Sequence, residues 1–183
     1  MTCDGRGDHD RSIARSGEPD LNLFFRSSQG PDTVLDTWDH AMKRLDFQAA
    51  VLQQWKATAT ENEPPIDVYL TPVNPSVCPK HDDYQKVRYL GYTGTVNVLD
   101  FTACTIPVTF VDESLDLADS PDGTSDASGN SLPAPVSDLD RTIRQRYDPL
   151  VYKGLPVTVQ IVGRRLEEEK VLGIAQLLHS LIK

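Results

Sequence analysis

The sequence predicts an α/β protein, and three observations carry that expectation. Val34, Leu35, Trp38, Ala41, Met42, Leu45, Ala49, Leu52 and Trp55 recur at spacings of three and four, drawing one apolar stripe along a long helix. Residues 68–71 and 105–111 are short runs rich in β-branched and aromatic side chains, the composition of buried strands. Val157, Val159 and Ile161 alternate with Thr158 and Gln160, then pass through Gly163 into an apolar-faced helix. The stretch 66–111 is where a sheet begins, and the helices on either side of it need that sheet to bury against.

The elements follow in order. Residues 1–30 are punctuated by Gly5, Gly7, Gly17, Pro19 and Gly30, with a short helical turn at 12–16. Pro31 and Asp32 open the long helix, with proline where a first turn tolerates it and acid near the positive dipole end. Spanning 31–58, it would be roughly 40 Å long. Pro64 and Pro65 forbid its continuation. After the first strand, V-N-P-S-V-C-P-K-H-D-D is a proline-rich loop, and 84–89 is ambiguous between helix and strand. Residues 93–101 have helical spacing and run into the second strand. From 112 to 138 Asp, Ser, Gly and Pro replace core-forming residues, which predicts an acidic, flexible surface excursion. Order returns at 139–147, then comes the third strand, with one face buried. In the last helix Glu167, Glu168 and Glu169 complement the dipole, and Val171, Leu172, Ile174, Ala175, Leu178, Leu181 and Ile182 form the buried face.

Bulk properties narrow the function. At 183 residues the chain is long enough for one domain with a real core. Its net charge of −9, with 18 Lys and Arg in no basic cluster, argues against nucleic acid and anionic membrane as partners. No apolar run reaches the ~18 residues of a membrane span. The start M-T-C-D-G-R-G-D is polar and unlike a secretory signal. Three scattered cysteines, Cys3, Cys78 and Cys104, argue against a disulfide framework and for a reducing, cytoplasmic setting.

Isolated motifs resolve into ordinary structure. Ser27-Ser28 has no nucleophile elbow around it and reads as loop serines. Cys78 and His81 have half a zinc spacing with no second half at matching distance, so no metal is expected. Asp119 to Asp126 lacks the acid spacing and closing glutamate of a calcium loop. Arg6-Gly7-Asp8 reads as chance.

Two longer motifs are more specific. G-Y-T-G-T-V-N-V-L-D-F-T-A-C-T-I-P-V (91–108) and Y-D-P-L-V-Y-K-G-L-P-V-T-V-Q-I-V-G-R-R-L-E-E-E-K-V-L (147–172) resemble the C-terminal third of amidase-signature hydrolases, fungal acetamidase-like enzymes in particular. D-V-Y-L-T-P-V-N-P (67–75) and S-G-E-P (16–19) fit the same order, and only the acidic excursion departs from it. The resemblance implies the C-terminal part of a layered α/β/α fold, with a mixed sheet flanked by helices. It also implies, for the parent enzyme, cofactor-free hydrolysis of a small carboxamide C–N bond through a serine acyl-enzyme. The family's serine, second serine and lysine lie in its N-terminal half. No Gly-Ser-Ser or Gly-Gly-Ser occurs here, and Lys43, Lys56, Lys80 and Lys86 stand in the wrong context, so no catalytic residue carries over.

What carries over is pocket lining: Tyr92, Thr93 and Asn97. A structural reading stands beside it, with Tyr92 filling core, Thr93 capping its helix and Asn97 bonding a neighbouring loop. Thr102 stands where the family often has proline. The expectation is a truncated amidase, inactive alone and prone to self-association through exposed apolar surface. The alternatives are a non-catalytic binding module and a half that complements a separate N-terminal half.

Overall fold

A computed structural model describes residues 7–20, 32–120 and 124–182. They fall into two compact units, Met1–Thr58 and Ala59–Lys183.

The described residues of the first unit form two helices. α1 spans Gly7–Ser16, twice the turn expected at 12–16. Asp8 and Asp10 sit in its first turn, Arg15 in its last, and Gly17 ends it at φ +71° with its N–H on the Ile13 carbonyl. α2 spans Val34–Lys56, starting three residues later than Pro31 predicted, because Thr33 is a better cap. The Thr33 Oγ1 accepts the Asp36 N–H at 3.2 Å, and the Asp36 carboxylate accepts the Thr33 N–H at 3.0 Å. The predicted apolar stripe is present, but Trp55 is the helix's one buried residue. Trp38 is 64% and Leu45 56% exposed.

The second unit is built on a three-stranded sheet: β1 (Tyr69–Pro72), β2 (Thr102–Phe110) and β3 (Pro156–Gly163), in spatial order β1-β3-β2. Both pairings are antiparallel, with Leu70 and Cys104 each opposite Ile161. The part of the sheet that this chain holds is thus small and antiparallel. β3 inserts between two strands that run the same way, so each neighbour meets it head to tail. β2 starts at Thr102, earlier than expected, because its first residues find partners at the end of β3, and the ladder shifts register between Pro107 and Thr109.

The core lies on one face of that sheet. Ile161, Ile106, Val171 and Ala175 are buried together, with Val159, Cys104, Ile174 and Leu178 packed against them. The last two and both buried α6 residues come from Glu168–Leu181, where 171, 174, 175 and 178 make one helical stripe. Leu172, Leu181 and Ile182, expected on the buried face, are exposed, because a narrow sheet receives one stripe only. Gly163 permits the close approach, since a Cβ there would stand 2.5 Å from the Val171 Cγ2.

β3 is also buried on its other face. Gln160, expected to face solvent, is 3% exposed. Its Nε2 donates to the Pro72 carbonyl at 3.1 Å and to the Tyr92 carbonyl at 3.2 Å. One amide thereby ties the end of β1 to the next helix, which offsets its own desolvation. That helix, α3, spans Gly91–Leu99. Among its described residues the 112–138 excursion supplies none of the buried core, and its acids organise it. Asp112 accepts from Ser114, and Asp126 from Ser128 and Asn130. Two short helices follow, α4 (Asp138–Gln145), capped by Ser137, and α5 (Pro149–Tyr152), capped by Asp148 with Pro149 in its first turn.

Candidate functional site

The pocket residues expected from the sequence lie on α3. Thr93 does not cap it: the helix begins two residues earlier, at Gly91, after Leu90, and no side chain caps it. The helix instead closes at its C-terminus, where Asp100 takes the left-handed conformation at φ 58°, a role Asp tolerates. Tyr92 is half-buried, its ring edge-on to Tyr89 with centroids 5.2 Å apart, and its carbonyl is the one held by Gln160. Thr93 and Asn97 are one turn apart, so they share a face of the helix. Asn97 is exposed. Among the described contacts its side chain reaches no loop, so the bond expected for it is not seen. Only Tyr92 is tied to the sheet.

A second concave feature lies elsewhere in the same unit. A cavity of about 220 Å³ opens between the loop 75–87 and α4–α5. Val77, Val87, Ile143, Tyr147 and Tyr152 give it apolar walls, and Lys80, Asp83, Arg144 and Arg146 its charge. Tyr147 and Tyr152 stack nearly parallel, 5.6 Å apart. The Tyr147 hydroxyl donates to the Asp116 carbonyl at 2.8 Å, which fastens the acidic excursion to this wall. Burial raises the pKa of both phenols, keeping them neutral.

The charges divide into paired and unpaired. Arg144 grips Asp140 through two contacts of 3.0 Å and also reaches the Pro133 carbonyl. Arg146 pairs with Asp83, which is 3.4 Å from the Lys86 ammonium as well. The Arg146 hydrogen bond, foremost, holds the Asp83 carboxyl below the usual carboxylate range. Lys80 lies 6.0 Å from the Tyr152 ring and pairs with no carboxylate among the described residues. Sequence reasoning passed over this cavity because its walls come from a loop dismissed for its prolines and from two short helices far along the chain. The one available signal was the pair of tyrosines in an otherwise polar segment.

Lys43, Lys153 and Lys170 pair with Asp39, Glu113 and Asp67, and these partners raise their pKa values, the wrong direction for a general base. The Ser114 hydroxyl bonds Asp112, Ser76 accepts from Asn74 and Ser180 donates to the Leu177 carbonyl. Ser27 and Ser28 lie outside the described residues. Of the three glutamates, Glu167 does more than complement a dipole. It binds Arg164 at 2.6 Å and Lys170 at 3.3 Å, and Arg164 in particular lowers its pKa. Among the described residues no group of three His, Cys, Asp or Glu could hold a metal ion, and Cys78 and Cys104 are free thiols. No helix of the described residues is long and apolar enough to cross a membrane.

Comparison with known proteins extends this picture. The Amidase family model matches residues 25–172. The acetamidase of Emericella nidulans is 32% identical over 98% of this chain, and that of Aspergillus oryzae 33% over 98%. In each case the match takes in 31% of the relative, so this chain spans about a third of their length. A solved fatty acid amide hydrolase superposes on 98% of the chain and 30% of its own length, with a TM-score of 0.74 at 22% identity, which establishes a shared fold. With the family model covering most of the sequence and the α/β fold matching, the chain belongs to the amidase family.

Proposed function

We propose that this chain is the substrate-side third of a small-carboxamide hydrolase and that it does not cleave amides by itself. One observation carries the reading: the family match includes the G-Y-T-G-T-V-N helix, while the sequence holds neither Gly-Ser-Ser nor Gly-Gly-Ser. A serine acyl-enzyme needs a nucleophile, a base and donors for the developing oxyanion. Without them only a small, binding-derived rate remains. Two relatives are named for acetamide and the fold neighbour for fatty acid amides. The chemistry those names share is a carboxamide. In the assembled enzyme Tyr92, Thr93 and Asn97 line the acyl side of the site, with Tyr92 set in place by Gln160. Free thiols at Cys78 and Cys104 favour a reducing, cytoplasmic setting.

The purified chain is assayed with acetamide and with an aryl acetamide. No turnover above buffer is expected. Turnover that persists in the Ser27→Ala, Ser28→Ala double variant would overturn the reading. The exposed stripe of α2 supports association between copies of the chain. Sedimentation should then show a mass that rises with concentration, and Leu45→Glu should return the chain to monomer.

A further inference from the structure

The cavity between the loop 75–87 and α4–α5 contains two donors that nothing among the described residues receives. One is the Lys80 ammonium, half-buried beside the Tyr152 ring and without a carboxylate partner. The other is the Tyr152 hydroxyl, on a residue only 6% exposed, with no hydrogen bond among the described residues. Both residues line the same cavity. Among the described residues neither donor is answered by a carboxylate or a carbonyl, and a lysine offers three donors and no acceptor.

We propose that this cavity binds a small organic monocarboxylate, its carboxylate on Lys80 and the Tyr152 hydroxyl and its apolar body against Val77, Val87 and Ile143.

The charge balance selects the ligand. Arg144 and Arg146 are already neutralised by Asp140 and Asp83, which leaves Lys80 as the unbalanced charge on the wall. One negative charge completes the set, and Arg144, its fork already on Asp140, has no bidentate grip left for a phosphate dianion. A neutral amide of the same shape would leave the ammonium without a counter-charge. About 220 Å³ is small beside pockets for drug-sized ligands, so the body is limited to the size of one aromatic ring or a short chain. A carboxylate is also what amide hydrolysis releases. The site nevertheless stands on the cavity alone, and its test reads binding without turnover.

The isotope-labelled full chain is titrated with benzoate, with benzamide as the neutral isostere and with inorganic phosphate, each followed by amide chemical shifts. Benzoate should saturate, with shifts concentrated at residues 76–80 and 143–152. Benzamide should bind about tenfold more weakly, the cost of losing a charge-assisted hydrogen bond. Lys80→Met should weaken benzoate by a similar factor while leaving the spectrum of the sheet unchanged. Tyr152→Phe should weaken it less; because Tyr152 is buried, Lys80→Met is the deciding variant should that protein fail to fold. Equal affinity for benzoate and benzamide would overturn the proposal. So would displacement of benzoate by equimolar phosphate, full affinity in Lys80→Met, or the absence of saturable shifts in this cavity.

Discussion

The α6–β3 core and helix α2 contain similar amounts of apolar sequence and use it in opposite ways. β3 buries Ile161 and Val162 completely, and α6 places Val171 and Ala175 over the sheet. α2 carries a stripe of comparable regularity, yet Val34, Leu35, Trp38, Met42 and Leu45 are each more than half exposed. Periodicity is a property of the helix, whereas burial needs a surface to receive it. In β3 the receiving surface is supplied from within the same unit. For α2 the explanation lies in scale: the relatives are about three times longer, and the family match begins ahead of this helix, at residue 25. Apolar pattern without burial is the expected state of a helix whose neighbours belong to the rest of a larger fold.

The sharpest way to break this contrast is to cut side chains on both sides of it. Both tryptophans, Trp38 and Trp55, lie in α2, and all six tyrosines lie in the second unit, so the two units can be followed separately in one denaturation. Ile161→Ala should cost the tyrosine-followed transition about 3–4 kcal/mol through lost transfer energy and the cavity left behind. With the chain diluted to monomer, Leu45→Ala should leave the tryptophan-followed transition within about 0.5 kcal/mol of wild type, as exposed substitutions do. A loss there as large as that of Ile161→Ala would mean that the stripe is covered within the single chain.

Gln160 sharpens the comparison at the polar level. Among the described residues it is the one buried polar side chain, and it bonds the carbonyls of Pro72 and Tyr92. Gln160→Leu keeps the volume and removes the donor, so the loss isolates the two hydrogen bonds. About 1–3 kcal/mol is expected, from desolvated carbonyls left short of a partner. Amide exchange should also accelerate in the first turn of α3. Unchanged stability and unchanged exchange would mean that the helix carrying Tyr92 is positioned by other contacts.

What could be read from the sequence divides along the same line. The elements were legible wherever a period of 2 or 3.6 was strong: α2, β2, β3 and α6 all occur close to where the pattern puts them. Boundaries shifted at helix starts: Thr33 decided that of α2, because a cap is a geometry of side chain and backbone that composition only suggests, and α3 starts at Gly91 with no side-chain cap to mark it. The burial of Gln160 was illegible because alternation assigns a glutamine to solvent, and only a carbonyl from elsewhere in the chain can satisfy it inside. The family could be recognised from residues 91–108 and 147–172, and the comparisons establish it. The Lys80–Tyr152 cavity could not, since its walls are more than fifty residues apart along the chain and nothing in the 147–172 stretch points to Lys80.

The smallest effect tests whether α2 is a well-formed helix without a buried face. Thr33 and Asp36 exchange hydrogen bonds at its start, and the Thr33 side chain, ahead of every other cause, lowers the pKa of the Asp36 carboxyl. Thr33→Ala should cost the tryptophan-followed transition about 1 kcal/mol at neutral pH, the usual value of a lost cap. The pH dependence has a definite sign. A carboxyl with a depressed pKa in the folded helix contributes stability above its ordinary pKa, and that contribution disappears as pH falls through the depressed value. The gap between wild type and Thr33→Ala should therefore be widest at neutral pH and narrow in acid, once Asp36 is protonated in both states. Far-UV circular dichroism with tryptophan-followed denaturation at neutral and acid pH measures it. A gap that stays constant across that range would assign the cap's strength to the Thr33 hydroxyl alone, with no part for the Asp36 charge.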